Sequence, residues 1–109
     1  MSGAYATPHF DADADNSVQT IKASPGQLHL LEVTNLNASA AYVQLFDASA
    51  PTVGTTTPTL SFYVPASGAM DKCFTVPIDF AVAIKYACTT TATGSTDPAV
   101  GLVLNATFG

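Results

Sequence analysis

The sequence contains no arginine, and its basic side chains are three lysines, Lys22, Lys72 and Lys85. Nucleic-acid binding draws much of its affinity from Lys and Arg clustered against phosphates. With eight carboxylates and a formal charge of −5, the chain has no such cluster. That excludes nucleic acid as a partner and argues against anionic membrane surfaces. No apolar run approaches the roughly 18–20 residues of a membrane span. The opening MSGAYATPHFDADADN has neither a basic n-region nor an apolar h-region, so no secretory leader is expected. Cysteine is scarce: Cys73 and Cys88 form one potential pair, too few for a disulfide framework, and both are expected to be reduced and buried. The sequons Asn37-Ala38-Ser39 and Asn105-Ala106-Thr107 are expected to be chance matches for the same lack of a secretory route.

Catalytic signatures are missing as well. Neither the nucleophile elbow G-x-S-x-G nor the phosphate loops G-x-G-x-x-G and G-x-x-x-x-G-K-[ST] occur. His9 and His29 are the only imidazoles, and no second His or Cys stands at zinc-ligand spacing. An acid pair for glycoside cleavage can be drawn from Asp47, Asp71, Asp79 and Asp97, but any acidic β protein allows that. The expectation is a protein with no catalytic residue and no cofactor.

What is present is apolar and punctuated. Apolar residues make up 48% of the 109 and charged residues 10%, the balance of one folded domain. Seven prolines and seven glycines separate short apolar runs, as strand reversal requires. Strands are predicted near 17–23, 28–35, 41–47, 59–64, 71–76, 79–88 and 100–108, with a further short one near 4–10. Period-two alternation supports several. Leu60, Phe62 and Val64 oppose Ser61 and Tyr63; Phe80, Val82, Ile84, Tyr86 and Cys88 oppose Ala81, Ala83, Lys85 and Ala87. The fold class is all-β: a single sandwich of 7–8 antiparallel strands over residues 17–109, jelly-roll or Ig-like, preceded by an acidic N-terminal arm at 1–16.

The outward faces are rich in alanine and threonine, 18 and 15 residues in the chain, where a free monomer would carry Lys and Glu. This suits packing against other subunits. The segment DADADNS (11–17) resembles a calcium loop at first, with Asp11, Asp13 and Asp15 alternating. Counted from Asp11, however, the twelfth position is Lys22, where an EF-hand needs a bidentate glutamate. The preferred reading is an extended arm whose three carboxylates face water and dock on a partner. Tyr63, alone on the outward face of its strand, is the other candidate partner-binding residue.

One stretch carries a resemblance. Ile21-Lys22-Ala23-Ser24-Pro25-Gly26-Gln27-Leu28, Val33-Thr34-Asn35, Ala41-Tyr42-Val43-Gln44-Leu45-Phe46-Asp47, Pro51-Thr52-Val53-Gly54-Thr55 and Pro58 follow in an order that resembles small β-sandwich virion proteins of tailed bacteriophages. It covers about residues 18–65, and its motifs are structural. The resemblance implies a capsid decoration (cement) protein: a homotrimer on the outside of the head, contacting the major capsid protein and stabilising the shell, assembled in the host cytoplasm. The alternative is a tail-associated or head-surface module that binds a receptor or glycan, through loop tips such as 48–58 and 89–98.

Overall fold

The computed structural model describes residues 6–109. Eight strands form in chain order: β1 (Thr7–Ala14), β2 (Gln19–Lys22), β3 (Gly26–Asn35), β4 (Ala41–Phe46), β5 (Leu60–Val64), β6 (Gly68–Phe80), β7 (Ile84–Thr89) and β8 (Leu102–Phe108). They make two four-stranded sheets, β1-β8-β3-β6 and β2-β7-β4-β5, and every pairing is antiparallel. The pairs β1·β8, β2·β7, β3·β6 and β4·β5 are those of one long antiparallel ribbon folded on itself. Rolling that ribbon sends alternate pairs to opposite sheets, which is the jelly roll rather than the Ig-like arrangement.

Alternation explains the core. Leu28, Leu31 and Val33 of β3, Val43 and Leu45 of β4, Ile84 and Tyr86 of β7, and Leu102 and Leu104 of β8 turn inward and are fully or almost fully buried. Each large apolar side chain so buried contributes on the order of 1.5–3 kcal/mol against chain entropy. In β3, Leu28 and Leu31 both face inward although three residues apart. The register shift between Leu28 and Leu30 accounts for this: His29 alone stands opposite Phe74–Pro77 of β6. The bulge lets Pro77, which has no N–H to give, lie within an edge strand.

Two expectations are corrected here. Residues 71–76 and 79–88 were expected to be separate strands broken at Pro77. Instead β6 runs through the proline, and the break falls at 81–83. Asp47 explains its position. Its carboxylate accepts N–H bonds from Ala81 (2.9 Å), Val82 (2.8 Å) and Ala83 (3.3 Å), pinning a turn that Ala-rich sequence alone does not announce. The acidic segment is the second correction. From Thr7 to Ala14 it is not a loosely held arm but an edge strand of the sandwich, paired from Thr7↔Phe108 to Ala14↔Leu102. Met1–Tyr5, the remainder of that expected arm's start, lie outside the described residues.

The outer face of the second sheet is partly covered. Tyr42, Gln44 and Phe46 alternate with the inward residues of β4, yet Gln44 and Phe46 are buried. The β7–β8 connection lies over Gln44 and its neighbour Ser61: Gln44 Nε2 donates to the Gly94 carbonyl (3.0 Å), and Ser61 Oγ donates to that of Ala92 (2.7 Å). Gly54 in the β4–β5 loop has φ +88° and comes so near Ser95 that a Cβ would stand 2.9 Å from the serine Cβ. The loops thus pack on each other. Ala87, expected to face neighbouring copies, is buried beneath this cover.

Candidate functional site

The acidic segment and Tyr63 are placed at opposite sheets with different surroundings. In β1 the side chains of His9 and Asp11 turn toward the sandwich interior and meet Tyr86, which reaches across from the other sheet. The Tyr86 hydroxyl donates to Asp11 Oδ2 at 2.6 Å. His9 Nε2 lies 2.9 Å from the Tyr86 hydroxyl oxygen. Since the phenol has only one proton and gives it to the carboxylate, the imidazole Nε2–H is the donor in the second bond. The His9 and Tyr86 rings also stand edge to face, centroids 5.5 Å apart. Asp11 Oδ1 further accepts the N–H of Asp13 (2.9 Å).

The other members are spent similarly. Asp15 Oδ1 accepts the Ser17 N–H (2.9 Å), an Asx turn, while the Asp15 carbonyl accepts the Cys88 N–H (2.7 Å). Asn16 bonds through its N–H to Asp97 Oδ1 (3.2 Å) and through Nδ2 to the Ser95 carbonyl (3.0 Å). Asp13 is exposed, and its backbone passes so close to Gly101 that a Cβ there would sit 2.9 Å from the Asp13 Cα. The segment therefore acts as a seam, fastening β1 and the β1–β2 turn onto β7 and the β7–β8 loop. Among the described residues no three His, Cys, Asp or Glu side chains gather to hold a metal ion.

Tyr63 lies as predicted, outward on β5 and 56% exposed, opposite Tyr42 of β4 with rings 5.5 Å apart and T-shaped. Its neighbours Leu60 and Phe62 pack against the core and Val64 is buried.

Burial first, and the neighbouring Asp11 and Asp15 charges second, push the Cys88 thiol up to about 12, which removes the thiolate needed for reactivity. Burial, then the Asp11 hydrogen bond, likewise raises Tyr86. Cys73, expected to be buried, is exposed on β6, and both cysteines are free. Hydrogen bonds from the backbone N–H groups of the 81–83 turn, Ala81 foremost, lower Asp47.

Sequence reasoning missed a second polar knot. Asn35 and Asn37 are buried at the β3–β4 corner. Asn37 Nδ2 donates to Asn35 Oδ1 (2.8 Å) and to the Val100 carbonyl (2.7 Å), while its Oδ1 accepts the Val100 N–H (2.7 Å). Asn35 Nδ2 reaches the carbonyls of Ser39 and Pro65. Burial of the Asn37 amide also removes it as a glycan acceptor. The available signal was the Asn-x-Asn spacing at a strand end, where side-chain amides replace lost ladder bonds. No protein-family model, curated protein or solved structure matches the chain.

Proposed function

We propose that this protein is a bacteriophage virion structural protein, a capsid decoration protein that binds the outside of the assembled head and stabilises it. The observation that carries the reading is how the polar side chains are used. Asp11, Asp15, Asn35, Asn37, Gln44 and Asp47 are engaged in holding strands, turns and loops together. What remains is a sandwich with broad faces, suited to binding by shape. Jelly rolls serve in viral capsids, although that analogy is at the level of fold. The resemblance over 18–65 supplies the phage setting and the trimer.

The mechanism is mass action. A protein that binds only the assembled shell stabilises that state by its binding free energy, and many copies on one lattice make modest interfaces effective. Purified protein mixed with shells that lack it is expected to pellet with them. Pelleting with host cells but never with shells overturns the reading. The exposed Tyr63, edge to face with Tyr42, favours a second reading, a glycan-binding module on the virion surface, since an exposed aromatic face packs against the C–H groups of a sugar ring. Loss of cell binding on Tyr63→Ala, with shell binding absent throughout, selects it.

A further inference from the structure

The outer face of the β1-β8-β3-β6 sheet is a different surface from the loop-covered one. Register aligns four side chains in a single row across it: Phe10 of β1 opposite Asn105 of β8, Asn105 opposite Glu32 of β3, and Glu32 opposite Asp71 of β6. At about 4.8 Å between strands, the row is roughly 14 Å long. Phe10 is 64% exposed, and Glu32 and Asp71 are both exposed. The two carboxylates border a depression of about 310 Å³ with Thr34, Ala69 and Met70.

Glu32 and Asp71 are directly opposed like charges, an arrangement that costs stability in a sheet. Among the described residues the cations lie elsewhere. Lys22 bonds the Gly109 carbonyl and Lys85 bonds Thr20 Oγ1. Lys72 follows Asp71 in β6 and pairs with core-facing Leu31, so by strand alternation it points to the other side of the sheet. Among the described residues, nothing covers the large apolar ring at one end of the row or neutralises the acidic pair at the other.

We infer that this face is the docking surface for a protein partner that presents arginine or lysine to Glu32 and Asp71 and an apolar contact to Phe10. The identity of that partner as the shell protein rests on the decoration reading; the chemistry of the face does not. A cation brought between the carboxylates removes their repulsion on binding, and a guanidinium can bond to both at once. Two-fold packing centred on the acidic pair would instead set four carboxylates against one another.

The test compares wild type, Glu32→Gln/Asp71→Asn, and the control Asp97→Asn, which removes a carboxylate outside this face. Without partner, the face variant is expected to melt about 2–4 °C higher, because the repulsion is gone; a lower melting temperature overturns the unneutralised pair. In pelleting with shells, the face variant should lose about tenfold or more in affinity, together with much of the salt dependence, while the control keeps both. Equal binding by both variants overturns the docking face and leaves the decoration reading standing. If wild type does not pellet with shells, the decoration reading fails and the face is judged by NMR titration with a short arginine peptide. Shifts centred on Phe10, Asn105, Glu32 and Asp71 uphold it, and shifts centred on 11–15 or spread over all carboxylates overturn it. A drop to a smaller oligomer confined to the face variant also overturns it, by assigning the face to self-association.

Discussion

The hydroxyl of Tyr86 donates to Asp11 and accepts from His9, so one phenol ties the edge strand of one sheet to the interior of the other. Tyr86→Phe keeps the ring and removes the donor, leaving the half-buried Asp11 carboxylate short of a partner. The expected cost is about 1–3 kcal/mol, read as a lower urea midpoint with unchanged slope. Asp47 gives a pH signature. Its carboxyl is held below the ordinary value by the N–H groups of the 81–83 turn. A depressed folded value contributes stability above the unfolded value of about 3.9, lost as pH falls through the folded one. Asp47→Asn should therefore melt below wild type at neutral pH, with the difference shrinking in acid; a constant difference would contradict the assignment. The thiols are distinguishable too. Cys73 is exposed and Cys88 buried with its thiol pushed up to about 12. A thiol reagent should label only Cys73 in the native protein and both after denaturation.

At the scale of elements, β1 is where the acidic segment takes on its meaning. Its side chains alternate between water and the interior, but the interior at that end holds a phenol and an imidazole rather than aliphatic groups. A polar strand therefore passes, in sequence, for a solvated arm. The partners that recruit it, Tyr86 and β8, lie more than seventy residues away, beyond the reach of local pattern. Strands β3, β4, β5 and β8 were legible because aliphatic alternation faces an aliphatic core. The extent of β6 was not, since Pro77 reads as a stop unless a bulge absorbs it, and the real stop is set by Asp47 from another strand. The close approach of β1 to the turn before β8 yields a direct check. Gly101→Ala would push a methyl into Asp13, at an expected cost of about 1–3 kcal/mol. Hydrogen exchange should rise at the amides of β1 and the first part of β8, and not in the sheet containing β4. A uniform rise would contradict a seam confined to that edge.

Over the whole molecule, the all-β sandwich was legible in turn spacing and alternation, whereas the choice of jelly roll over Ig-like was not. That choice depends on which strands pair, and the hydrophobic pattern of each strand is satisfied by either. The two sheets also end in unequal states. Among the described residues, one outer face is partly roofed by loops through Gln44 and Ser61, and the other is open around Phe10, Glu32 and Asp71. The alanine of β7, which in sequence suggests an interface, serves the roof instead. A homotrimer, proposed from the resemblance, should give three times the chain mass in light scattering; a strict monomer at high concentration would count against it. The most direct measurement is a virion reconstruction fine enough to trace strands. The account predicts this jelly roll on the outside of the head, its open sheet turned to a basic patch of the shell protein. Density for the chain on the tail alone, or on the head with that sheet facing solvent, would contradict it.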